Sequence, residues 1–143
     1  MDNVPFKKLH SVTPELSAQI VQGTQEFLEN REDIQFAFIY GSFVELDMFH
    51  DVDLGISLQC QCLDRSTDIA LEAAGQLSRR FRLPFDVRVL NGAPVSLLYH
   101  VFRGRLVFCR DAGRLSDDIE YVLARYFDKH EFLRHYTREA FAL

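Results

Sequence analysis

Asp51 and Asp53 stand two positions apart in "DVDLGISL", and Asp86 follows in "FDVRVL". Both segments alternate. Val52, Leu54, Ile56 and Leu58 oppose Asp51, Asp53, Gly55 and Ser57, and Phe85, Val87 and Val89 oppose Asp86 and Arg88. A period of two is strand geometry, which places Asp51 and Asp53 on one face about 7 Å apart. If the two strands are neighbours, three carboxylates converge. Like charges that close raise one another's pKa and oppose folding, and a divalent cation removes the conflict. Hard oxygen ligands suit Mg²⁺, which takes one or two carboxylates together with substrate phosphates. Gly41 and Ser42 follow the apolar run "QFAFIY". A helix starting there presents free N–H groups to a phosphate, with Gly41 permitting close approach and the Ser42 hydroxyl adding a donor. A phosphate seat facing a carboxylate metal site is the equipment of nucleotidyl or phosphoryl transfer. Taken singly, each feature has a plainer reading: Asp-x-Asp often opens a strand after a turn, and Gly-Ser is commoner still. The specificity lies in the combination.

Several elements must position these residues. Thr13 is a good N-cap, with Pro14 at the first helical position and Leu16, Ile20 and Phe27 as an inner stripe. Gln35 to Tyr40 reads as a buried strand ending at Gly41. The alternating segments Asp51 to Leu58 and Phe85 to Leu90 supply two more strands. Ser66 to Phe81 forms a crossover helix between them, with Ile69, Ala73 and Leu77 inward. A short helix is expected over Pro94 to Phe102 and a strand over Arg105 to Cys109. Ser116 then caps a long final helix carrying Leu115, Ile119, Val122 and Tyr126 at helical spacing. The pattern predicts an α/β (α+β) fold, a small mixed sheet covered mainly on one face. With no linker or repeat, residues 1–143 read as a single domain.

Composition narrows the class. Hydrophobic residues make up 48%, against disorder, and a net charge of -5 argues against general nucleic-acid binding. No apolar run is long enough to cross a bilayer, and "MDNVPFKKLH" lacks a signal-peptide core, so the expected location is the cytoplasm. The cysteines Cys60, Cys62 and Cys109 are expected as free thiols; "CQC" has no second pair with which to hold zinc.

"YGSF...DVDLGI" followed by "FDVRVL" resembles the polymerase-beta-type nucleotidyltransferase superfamily, whose motif is Gly-Ser, a spacer, Asp-x-Asp and a distant Asp. The small size points to its minimal nucleotidyltransferase (MNT) branch, the MNT antitoxins. "LNGAPVSLLYHVFRGRLVFCRD" and "YVLARYFDKHEFLRHYTREAF" look like the tail of that branch, so the resemblance spans roughly residues 13–139. It implies that Asp51, Asp53 and Asp86 hold two Mg²⁺ ions, that Gly41 and Ser42 seat ATP, and that Asp86 helps deprotonate the acceptor. It also implies a HEPN-domain toxin as partner, with AMP passed to a toxin tyrosine. Leu46 stands where the family commonly has Gly, His50 where it commonly has Ser, and no cation closely follows Ser42. A non-catalytic antitoxin acting by binding alone, or a small-molecule nucleotidyltransferase, are the alternatives.

Arg125 and His130 have the Arg-x-x-x-x-His spacing of the HEPN ribonuclease motif, but the chain lacks the all-helical pattern that motif needs, and a solvated helix face is the better reading. Arg79, Arg80 and Arg82 read as a solvated helix end complementing the dipole. Arg88, on the face of Asp86, either pairs with a carboxylate or reaches a phosphate. The aromatic-rich C-terminal segment offers a docking face for a protein.

Overall fold

The computed structural model describes residues 8–140, with side chains up to residue 127. The chain begins with a short strand β1 (His10–Ser11) and helix α1 (Pro14–Glu29). The Thr13 hydroxyl accepts the Leu16 N–H at 3.1 Å, as an N-cap should. Strand β2 (Ile34–Tyr40), the four-residue helix α2 (Ser42–Glu45) and strand β3 (Met48–Phe49) lead into β4 (Val52–Leu58). A 3₁₀ segment over Cys60–Arg65 then feeds helix α3 (Ser66–Phe81) and strand β5 (Phe85–Val89). Helix α4 (Val95–Phe102), strand β6 (Arg105–Cys109) and helix α5 (Ala112–Ala140) complete the chain.

Four strands form one mixed sheet in the order β5-β4-β2-β6. β2 runs antiparallel to both β4 and β6, and β4 runs parallel to β5. Parallel neighbours need a crossover, and α3 provides it. Each face of the sheet has its own core. Ala37, Ile39, Val52, Leu54, Ile56, Leu58, Phe85 and Val107 pack with Ile20, Val21 and Leu28 of α1 and Ile69 and Leu77 of α3. On the opposite face Phe36, Phe38 and Tyr40 pack with Leu90, with Val101 of α4 and with Leu115 of α5. The expectation that helices cover mainly one face is therefore corrected. The reason lies in β2: "IQFAFIY" is apolar on both sides, as a strand buried on both faces must be.

The starts of one strand and one helix also differ from the sequence expectation, and a short ribbon is added to it. β4 begins at Val52, so Asp51 occupies a bend just ahead of the strand. The last helix begins at Ala112, and Ser116 lies inside it. Its start is set by Asp111, whose Oδ1 accepts the Arg114 N–H at 3.0 Å while its carbonyl accepts the Leu115 N–H at 3.1 Å. The two-residue strands β1 and β3 pair as an antiparallel ribbon, His10 with Phe49 and Ser11 with Met48. His130 lies outside the described side chains.

Asp111→Ala should cost about 1 kcal/mol, the value of a side-chain cap, and lower the melting temperature by roughly 2–5 °C. Ser116→Ala should leave it within about a degree, because an exposed serine inside a helix caps nothing. Thermal melts of the two variants check where the helix starts.

Candidate active site

The register of the sheet brings the sequence candidates together. Tyr40 pairs with Asp53 across β2 and β4, and Asp53 pairs with Asp86 across β4 and β5. Directly paired residues point to the same face, so Tyr40, Asp53 and Asp86 form a lateral row, each about 5 Å from the next. The next row along the same face is Phe38, Gly55 and Arg88. Asp51 sits one step outside the sheet at the same end, half-buried.

Gly41 closes the row from above. It lies at φ +79° and ψ −151°, where only glycine is comfortable. A Cβ built there would stand 2.6 Å from Oδ2 of Asp53. The tight turn from β2 into α2 therefore lays glycine backbone against the Asp53 carboxylate. The carbonyl of Gly41 accepts the N–H groups of Val44 and Glu45, so the N–H groups of Ser42 and Phe43 are the ones that helix geometry leaves without an intrahelical partner. Of the phosphate-seat candidates, Gly41 thus adjoins Asp53 directly, and Ser42 follows it as the first residue of α2.

Helix α4 covers the middle of this sheet face. The space a side chain would need at Gly55 is filled by Leu90 and Val101. His100 places its ring edge-to-face on Tyr40, centroids 5.5 Å apart. Beyond that contact lie Asp53 and Asp86. β5 is an edge strand of the sheet, and the Asp86 side chain is 46% exposed. Its Oδ2 lies 3.6 Å from Nε of Arg88. Among the described residues no three His, Cys, Asp or Glu side chains are gathered into a ready-made metal cluster. The donor set nevertheless suits a hard cation: carboxylates from adjacent strands beside a turn held open by glycine.

Tyr40 joins the site as a residue not expected from the sequence. Its ring is buried, and its phenol pKa is pushed up to about 12 by burial first, then by Asp53, with Asp86 and Asp51 adding and Arg88 opposing. All three aspartates therefore act electrostatically at one phenol. The signal was available: an apolar strand ending in a single tyrosine directly before Gly-Ser. His50 is exposed, with Nδ1 3.3 Å from the Lys8 carbonyl, which ties the loop ahead of Asp51 to the start of the described chain. Leu46 is 62% exposed. A cleft of about 550 Å³ lies at the other end of the sheet among Glu29, Arg31, Asp33, Gln59 and Arg65, where Arg31 pairs with Asp33 and Glu72. The length of β2, roughly 20 Å, separates it from the carboxylate row. No helix among the described residues is long and apolar enough to cross a membrane.

Tyr40 makes the protein sensitive to alkali. Between the unfolded tyrosine pKa of about 10 and the folded value of about 12, the folded chain binds the extra proton. The stabilisation is complete below the lower value and is lost as pH rises through the higher one. Tyr40→Phe should therefore flatten the fall of melting temperature with pH across that window. An unchanged slope would show that the phenol is not held as described.

No curated protein matches the chain in sequence. Among solved structures, the chain is similar to two mutants of the toxin–antitoxin MntA-HpeT, each at a TM-score of 0.50. Identities are 14% and 16%, and both matches cover 90% of this chain and 94% of the other. A tri-AMPylated Shewanella oneidensis HEPN toxin in complex with MNT antitoxin matches at TM-score 0.49 and 15% identity, over 84% of this chain and 93% of that one. At such identities the two matches at 0.50 speak for the fold. The family described as "Polymerase beta, Nucleotidyltransferase" matches residues 22–113, a span that holds Gly41, Ser42, Asp51, Asp53 and Asp86. That is more than half of the chain, which therefore belongs to the polymerase beta nucleotidyltransferase family.

Proposed function

We propose that this nucleotidyltransferase is the antitoxin of a HEPN/MNT toxin–antitoxin pair, and that it transfers AMP from ATP to a tyrosine hydroxyl of its partner toxin. The observation that carries the reading is the lateral pairing of Asp53 with Asp86 beside the glycine turn at Gly41. The toxin–antitoxin complexes that share the fold support the choice of partner.

Asp51, Asp53 and Asp86 would hold two Mg²⁺ ions, which supply charge neutralisation and Lewis-acid polarisation at the phosphates. The chain's own residues do the rest. The Ser42 and Phe43 N–H groups and the Ser42 hydroxyl seat the triphosphate. Asp86 accepts the proton of the incoming phenol. The acceptor oxygen forms a bond to the α-phosphorus while the bond to pyrophosphate breaks, and pyrophosphate leaves with its electron pair. Tyr40, with His100 of α4 edge-to-face on its ring, bounds the row on one side. The other side is open: Asp86 stands on an edge strand, where a hydroxyl carried by a macromolecule can approach. On α5, Tyr121, Leu123 and Phe127 are exposed and provide apolar contact area for such a partner.

A second reading, neutralisation by binding alone, draws on the contact between Asp86 and Arg88, which engages the proposed base. One experiment separates the two. The purified pair is incubated with Mg²⁺-ATP and the toxin is weighed intact. An AMP adduct should appear with the wild type and vanish with Asp51→Asn plus Asp53→Asn. Asp86→Asn should slow transfer by roughly two to three orders of magnitude, equivalent to ~3–4 kcal/mol of transition-state stabilisation. Neutralisation in cells by the double variant, with no adduct from either protein, would establish the binder instead.

A further inference from the structure

The row of carboxylates has a cation built in beside it. Arg88 follows Asp86 by two residues on β5 and shares its sheet face. Among the described residues of β2, β4 and β5 on that face, it is the one basic side chain. Leu90 and Val101 occupy the space over Gly55, the lateral neighbour of Arg88, so the guanidinium does not lie inward across the sheet. It turns along the strand, and Nε comes within 3.6 Å of Asp86 Oδ2. Its charge also reaches the Tyr40 phenol, where it opposes the effect of the aspartates.

That contact is built to be given up. It runs from Nε to a single oxygen, whereas arginine binds oxyanions most firmly through a two-nitrogen fork. Both side chains are about half-exposed, and an exposed ion pair of this kind is worth little. The proposed nucleotide, in turn, meets no cation just after the glycine turn. The four residues after Ser42 are Phe43, Val44, Glu45 and Leu46, with no cation among them. Even with two divalent ions, three carboxylates and a triphosphate leave negative charge unbalanced.

Resting on the nucleotidyltransferase reading above, we propose that Arg88 is an exchangeable counterion, neutralising Asp86 while the site is empty of metal and turning to the triphosphate when metal takes that carboxylate. Arg88 then opposes metal binding in the absence of nucleotide and favours it in its presence. The site loads metal and nucleotide together rather than metal alone. In that role Arg88 contacts substrate and determines the order in which the site is filled.

The test measures Mn²⁺ binding by the loss of free-ion electron paramagnetic resonance signal, first alone and then by calorimetry with a non-hydrolysable ATP analogue. Arg88→Gln should bind Mn²⁺ alone roughly two- to fivefold more tightly than wild type, the size of an exposed ion pair removed. It should bind the Mn²⁺–nucleotide complex about tenfold more weakly or worse, the size of a charged hydrogen bond lost. Arg88→Lys, which keeps the charge, should lie near wild type for the metal and between the two for the nucleotide. The exposure of Arg88 makes misfolding an unimportant outcome, and circular dichroism of both variants checks it. If Arg88→Gln binds Mn²⁺ alone no more tightly than wild type, or binds the nucleotide complex equally well, Arg88 is not the counterion. If the wild type binds neither Mn²⁺ nor the nucleotide complex, the nucleotidyltransferase reading of the site falls, and this inference with it.

Discussion

The register of β4 between β2 and β5 is the constraint on which everything else depends. Leu54 and Ile56 oppose Ile39 and Ala37 on one face, which fixes Asp53 opposite Tyr40 on the other. A slip of one residue would turn Asp53 into the apolar core with α1 and α3 and send Leu54 to the carboxylate row. A buried, unpaired carboxylate costs far more than a misplaced methyl group, so the hydrophobic pattern and the acidic pattern enforce the same alignment. Strand pairing, core formation and the assembly of the site are one event.

The two faces of the sheet divide the labour. The face under α1 and α3 carries most of the core. The other face is apolar only where α4 and α5 cover it, and becomes acidic beyond the contact of His100 with Tyr40. α4 thus sets the boundary between dry interior and open site. Stacking of Tyr99 on Tyr126 links that helix to α5, ring centroids 3.6 Å apart, so the position of the boundary depends on the docking of the last helix.

What the sequence made legible follows from how local the determinants were. The alternation in β4 and β5 is written residue by residue, and the shared face of Asp53, Asp86 and Arg88 could be read directly. The convergence of Asp53 with Asp86 needed the neighbourhood of two strands, which the crossover helix α3 implied. The double covering of the sheet was readable in the uniform apolarity of "IQFAFIY" and was passed over. Ser116 looked like a cap because acidic residues follow it, yet Asp111 supplies the hydrogen bond one turn earlier. The pairing of β1 with β3 was hidden for a physical reason: two residues per strand give no period, and the partners are far apart in sequence. Tyr40 was hidden because its importance comes from three carboxylates on other segments.

The ribbon of β1 and β3 gives the site two different stabilities. Asp53 and Asp86 belong to the four-stranded sheet, Asp53 on an inner strand and Asp86 on the adjoining edge strand. Asp51 and His50 belong to a loop held at Phe49, which is buried against Phe43, and at the terminal strand, where the Val12 N–H donates to the Asp47 carbonyl at 2.8 Å. Two residue pairs make a cooperative unit of low free energy, and amides in such units exchange with solvent through local fraying. When β1 peels away, Phe49 keeps the loop anchored while His50 loses its neighbour at Lys8. Between Asp51 and Val52 the chain passes from a loop pinned by a two-pair ribbon to a seven-residue strand of the main sheet, and the seam runs through the middle of the Asp-x-Asp motif.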